Sequence, residues 1–147
     1  MLVSEKLLFH TTQLLSLPII KFMPKLIQLE TYLSNKGSLT ILEKILPEGI
    51  KRIFYIYNAE NQVRGGHRHK LTYNALVCVS GSCKVYIHNG ESEETFDLDS
   101  PDKCLLLEPK DWHTMYDFSK NSVLLVLSNK FYDKEDYIYE KYPDILN

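Results

Sequence analysis

The stretch Arg64-Gly65-Gly66-His67-Arg68-His69-Lys70 gathers the side chains best suited to chemistry. In an extended segment residues i and i+2 share a face, so His67 and His69 point the same way. Arg64, Gly66 and Arg68 fall on the other parity, although the paired glycines can bend the chain and re-aim Arg64. Three readings fit. An exposed edge strand guarded by Arg and Lys needs no chemistry at all. Two imidazoles joined by His113 could give three nitrogens to a divalent ion. Two imidazoles side by side could also transfer protons, because like charges push their titrations apart around neutrality.

The remaining composition narrows the partners. Lys and Arg total 17 against 19 Asp and Glu, a formal charge of -2. Such a balance offers no broad surface to DNA or RNA. Only Arg52, Arg64 and Arg68 carry guanidinium groups, and two of them flank the histidines. A single phosphate or diphosphate is what so small a patch can grip, since Arg matches it bidentately. Cys78, Cys83 and Cys104 each sit in an apolar run, which suits reduced core thiols and a cytoplasmic location. The acidic run from Glu91 to Asp102 reads as a solvated face around a hairpin. Trp112 reads as core or rim packing.

The elements that must hold the histidines read as short strands. Candidate strands are 27–33, 38–44, 50–57, 72–79, 83–88, 95–98, 103–107 and 123–127, cut by Gly, Pro and Asn turns. Asn89-Gly90 predicts a type I′ hairpin with φ > 0 at both positions. Cys83, Val85 and Ile87 alternate with Lys84, Tyr86 and His88. The runs Leu105 to Leu107 and Val123 to Leu127 lack a polar face and predict strands covered on both sides. By the same alternation Asn74 shares a face with Leu76 and Cys78, as an interior polar group. Asp133 predicts the cap of a short helix over 134–141, halted by Pro143. The expected fold is all-β: one closed jelly-roll barrel over 23–147, with a C-terminal helix. Residues 1–22 form an apolar N-terminal extension, interrupted by His10, Thr11, Thr12 and Gln13, too short to span a membrane.

The histidine stretch, with Gly81 downstream, resembles the first motif of the cupin superfamily, a double-stranded β-helix. Pro109 to His113 resembles the second. Metal-binding cupins add a Glu where this chain has Asn74, a poor ligand for a divalent ion. A narrower resemblance spans residues 26 to 142. Lys51 to Ile56, Arg64 to Lys70, Leu76 to Gly81, Trp112 to Phe118 and Tyr132 to Ile138 are similar to the sugar 3,4-ketoisomerases. These are metal-free, cofactor-free cupin dimers acting on dTDP-4-keto-6-deoxyglucose, with N-terminal strands swapped between protomers.

The resemblance implies catalytic roles for His67 and His69, with Tyr55 lining the pocket and Arg64 facing the nucleotide diphosphate. It also implies that Lys36 and His113 mark the branch that inverts C4 to a galacto-type product. Arg52 and Asn74 complete the candidate substrate-binding set. Moving a ketone from C4 to C3 through a cis-enediol needs only proton transfer, with no electrons leaving the sugar. The assignment that follows makes His67 the base at C3 and lets His69 or Tyr55 polarise the C4 oxygen. His113, placed across the sugar, would then protonate C4. A nucleotide-sugar epimerase and a non-catalytic sugar-binding cupin are the rival readings.

Overall fold

The computed structural model describes residues 25–145 of the chain, so the expectations for residues 1–22 lie outside it. The strands in chain order are β1 (Lys25–Gln28), β2 (Thr31–Ser34), β3 (Gly37–Thr40), β4 (Arg52–Tyr57), β5 (Arg64–His69) and β6 (Asn74–Ser80). They continue as β7 (Cys83–His88), β8 (Glu93–Leu98), β9 (Lys103–Leu107), β10 (Trp112–Tyr116), β11 (Val123–Ser128) and β12 (Tyr137–Ile138). One antiparallel sheet has the order β1-β9-β6-β11-β4, a second β12-β5-β10-β7-β8, and among the described residues β2 pairs only with β3.

Alternation sorts the apolar residues into two layers. Leu76, Cys78, Leu105, Leu107, Leu124 and Val126 from the first sheet meet Cys83, Val85, Ile87, Leu98 and Met115 from the second. Ala75, Val77, Cys104 and Leu127 point the other way, under Leu29, Leu42, Ile45 and Leu46. The doubly apolar runs are thus covered on both faces, and the outer cover is a segment of the same chain. Fully burying each such Leu or Val contributes about 1.5–3 kcal/mol. The three cysteines are free and buried in these layers.

Three expectations are corrected. The all-β class holds, but the sheets do not close into a barrel. Among the described residues they remain two separate five-stranded ladders, with the β2–β3 hairpin apart. Period-2 alternation specifies which face is buried in a sandwich and a barrel alike, and is silent on whether edge strands bond to each other. The C-terminal helix is also absent. Asp133 does cap, accepting from the Glu135 amide at 2.9 Å, but the turn it starts is a three-residue 3₁₀ segment, Lys134–Asp136. The chain then leaves as β12, because Tyr137 and Ile138 pair with His69 and Arg68 at the open edge of β5. The Asn89-Gly90 hairpin does join β7 to β8, but as a four-residue loop. Gly90 alone of the pair has positive φ, and Asn89 Oδ1 accepts from the Glu91 and Ser92 amides.

Candidate active site

Between the two sheets the apolar packing gives way to a cavity of about 240 Å³. Strand β5 sends both His67 and His69 into it, as their spacing requires. Arg64 lines it too, against strict parity. Gly65 and Gly66 have φ of 85° and 79°, and the ladder to β10 slips beside them, so that His67 faces His113 while Gly65 faces Thr114. A side chain at Gly65 would bring its Cβ to 2.7 Å from the His113 carbonyl oxygen. Glycine there therefore allows both the bulge and the close strand pairing.

Three imidazoles share the cavity. The His67 ring centroid lies 5.1 Å from that of His69 and 5.0 Å from that of His113. Burial pushes all three pKa values down: His67 in direction, His69 to about 4 and His113 to about 3. For His69 and His113 the neighbouring imidazoles add to the fall, while Asp136 works against it at His69. The rings are therefore neutral near pH 7, and their neighbours fix the tautomers. His113 Nδ1 donates to the Asp111 carbonyl at 2.9 Å, which leaves Nε2 as an acceptor. His69 Nδ1 lies 2.9 Å from Asp136 Oδ2, and a carboxylate can only accept. His69 Nε2 is therefore a lone pair directed away from Asp136.

Asp136 is fixed by more than His69. It also accepts from the Thr72 hydroxyl at 2.6 Å and from the Leu71 and Lys70 amides at 2.8 and 3.2 Å. These donors hold its carboxyl below the usual range, against the opposing effect of burial. Immediately after it, Tyr137 packs 4.7 Å from both His67 and His69, ring centroid to ring centroid, and closes one side of the cavity. The sequence pattern did not single out Asp136 and Tyr137 because it placed them within a short helix over 134–141. Their signal was present in the segment Tyr132 to Ile138.

The other candidate residues divide by location. Arg52, Asn74 and His113 line the same cavity. Arg52 lies against the rings of Phe54 and Tyr132. Among the described residues neither Arg52 nor Arg64 forms an ion pair with a carboxylate, so both keep their charge for a ligand. Tyr55 does not enter the cavity. It shares parity with Ile53 and Tyr57 on the exposed outer face of β4. There it lines a neighbouring groove of about 200 Å³ that shares Ile56 and Arg64 with the first. Lys36 stands exposed in the β2–β3 turn, outside its own chain's cavity. His113 is beside His67 on the adjacent strand, too close for a hexose to lie between them. Trp112 points out and donates to the Tyr139 carbonyl. Among the described residues no group of three or more His, Cys, Asp or Glu is arranged to hold a metal ion.

The family described as FdtA: WxcM-like, C-terminal matches residues 23–146. The TDP-4-oxo-6-deoxy-alpha-D-glucose-3,4-oxoisomerase of Aneurinibacillus thermoaerophilus is 39% identical over 117 residues, 78% of this chain and 84% of that protein. This chain belongs to the sugar 3,4-ketoisomerase family. Solved structures of other members superpose closely. The TDP-quinovose 3,4-ketoisomerase WlaRB of Campylobacter jejuni is 38% identical with a TM-score of 0.76, the match covering 80% of this chain and 92% of that one. The 3,4-ketoisomerase QdtA of Thermoanaerobacterium thermosaccharolyticum, solved as a His-to-Asn variant with TDP-4-keto-6-deoxyglucose, is 35% identical with a TM-score of 0.76. That match covers 80% of this chain and 87% of the other. A 3,4-ketoisomerase moves a keto group between C4 and C3 of a sugar, and the imidazole-lined cavity supplies the groups for it.

Proposed function

We propose that this cavity binds dTDP-4-keto-6-deoxyglucose and moves its ketone from C4 to C3 through a cis-enediol. The observation that carries this reading is the Asp136–His69 contact at 2.9 Å, which presents a neutral Nε2 within a cavity flanked by Arg52 and Arg64, neither ion-paired among the described residues. That contact exchanges the roles suggested by the sequence alone. His69 Nε2 takes the proton from C3, which the adjacent carbonyl acidifies. The C3–H electron pair forms the C3–C4 double bond, and the carbonyl pair moves onto the C4 oxygen. His67, next to His69, moves a proton from the C3 hydroxyl to the C4 oxygen as the enediol forms and collapses. C4 takes back the proton held on His69 Nε2 as the C3 ketone forms. Charge complementarity assigns the diphosphate to Arg64 and Arg52.

Similarity to relatives that act on this sugar supports the substrate. The galacto-type outcome at C4 rests on the family resemblance at Lys36 and His113. A homodimer and a cytoplasmic location complete the proposal. The β2–β3 hairpin holds Tyr32, Leu33 and Leu39 in solvent, at 55%, 79% and 59% exposure. The outer face of β4 does the same with Ile53, Tyr55 and Tyr57. Apolar surface of this extent fits a second copy, which would also bring Lys36 and Tyr55 to an interface. The buried free cysteines suit a reducing compartment. Among the described residues no helix is long and apolar enough to cross a membrane.

Proton NMR of the sugar after incubation with the protein tests the reading. A ketone appearing at C3, with C4 couplings of a galacto sugar, is the expected result. A 4-keto product altered at C3 or C5 indicates epimerisation. Binding without exchange of sugar protons with D2O indicates a non-catalytic protein. Either result rejects the proposal.

A further inference from the structure

His69 and His113 spend their ring N–H groups on Asp136 and the Asp111 carbonyl, and His67 acts as a proton shuttle between the sugar oxygens, so a fixed donor to the charge growing on the C4 oxygen is still required. We propose that the side-chain amide of Asn74 is this donor, aimed by Ser128 and Arg52; the proposal rests on the functional reading above. Arg52, Ser128 and Asn74 are register partners across β4, β11 and β6, one row spanning three strands. An Arg guanidinium can only donate, and Arg52 Nη2 donates to Ser128 Oγ at 3.3 Å. Ser128, fully buried, donates its hydroxyl hydrogen bond to Asn74 Oδ1. That contact orients the amide, because the oxygen is engaged and the NH2 must face elsewhere.

Asn74 is itself buried and lines the cavity. Among the described residues its Nδ2 donates to no protein group, yet it is absent from the sealed, unpartnered buried atoms, which are Arg52 Nε, Arg68 Nε and Asp111 Oδ1. The amide nitrogen therefore opens onto the cavity as a neutral donor. The row runs one way, from cation to hydroxyl to amide, and each step polarises the next. A neutral amide suits the task better than the carboxylate that metal-binding cupins carry at this position, because a carboxylate would repel an enediolate. As C3 loses its proton to His69, the C4 oxygen gains charge and the Asn74 N–H contact shortens. No oxidant or reductant is involved. Asn74 is then a catalytic residue, and Ser128 a positioning residue.

The test is steady-state kinetics with dTDP-4-keto-6-deoxyglucose, paired with NMR detection of the 3-keto product and thermal melts of each variant. Asn74→Leu should lower kcat by about 10²–10³-fold, the usual loss for an oxyanion donor, with KM changed only a few-fold. Ser128→Ala keeps the amide but frees it to turn, and should lower kcat by roughly tenfold with KM unchanged. Asn74→Asp gives the sharpest readout. Its kcat should climb as the pH is lowered from 8 to 6, as the acid gains the proton it needs to donate, where the wild-type profile stays flat. Asn74→Leu within threefold of wild type, or Asn74→Asp following the wild-type profile, overturns the proposal alone. A wild-type protein that leaves the ketone at C4 overturns the functional reading and this proposal with it.

Discussion

The space between the two large sheets is built in two ways along the same strands. Toward the Ser80–Gly81 turn, Cys78, Cys83, Leu98, Leu105 and Leu124 pack with no more than 2% exposure. Toward the start of β6, the inward positions become Asn74, His67, His69 and His113, and the packing opens into the cavity. Both regions obey one alternation. They differ only in whether an inward side chain fills space or presents a nitrogen. Burial that stabilises Leu124 is the same burial that pushes the imidazoles toward neutrality. The closed half thus supplies stability, and the open half uses the same dry environment to set protonation states.

If the two halves divide labour this way, a change in the open half should cost activity far more than stability. His69→Asn keeps a polar side chain of similar reach but removes the base at C3. Loss of one acid-base group typically costs ~10²–10⁴-fold in rate, and the expected kcat falls within that range. Differential scanning calorimetry should find the melting temperature within a few degrees of wild type. Activity within a few-fold of wild type removes His69 from the chemistry.

The converse change belongs to the closed half. Leu124 is fully buried between the sheets, and Leu124→Ala should destabilise the fold by about 2–5 kcal/mol through lost transfer energy and a cavity. Urea unfolding measures that loss. At low temperature, where the variant remains folded, kcat/KM should stay within twofold of wild type. A tenfold fall there means that packing at the closed end reaches the cavity, and the division fails.

Much of this division was legible in the residues. The spacing of His67 and His69 placed both on one face, and the doubly apolar runs marked the strands covered on both sides. Gly65-Gly66 flagged the bend that re-aims Arg64. Parity carried one warning that the resemblance overrode. Arg52 and Tyr55 differ by three positions on one strand, so both cannot face the same cavity, and the structure puts only Arg52 inside. Asp136 was hidden for another reason. A capping Asp followed by Lys, Glu and Asp fits a helix as well as a 3₁₀ turn, and only the open edge of β5 decides between them. Local composition cannot register an unpaired strand edge distant in sequence, and it cannot register closure of a sheet.

Acid stability sharpens the contrast further. The folded pKa of His69, about 4, lies below its ordinary value of 6.5. As the pH falls through 6.5 the unfolded chain takes up this proton first, so the stability contribution is complete above 6.5 and is lost progressively toward pH 4. His113, at about 3, acts in the same direction, and so does His67. Asp111 opposes them. Its carboxyl is buried with Oδ1 unpartnered and is held up at about 6, so the folded chain protonates first and gains stability as pH falls from 6 toward 3.8. Between pH 7 and 5, His69 and His113 each cost about 2 kcal/mol and Asp111 returns about 1 kcal/mol. Urea unfolding at the two pH values should therefore show a net loss of roughly 3 kcal/mol for wild type. The loss should be smaller in His69→Asn, which lacks one imidazole, and larger in Asp111→Asn, which lacks the opposing carboxyl. Equal stability at pH 7 and pH 5 for all three proteins means that the imidazoles are not held neutral by the fold.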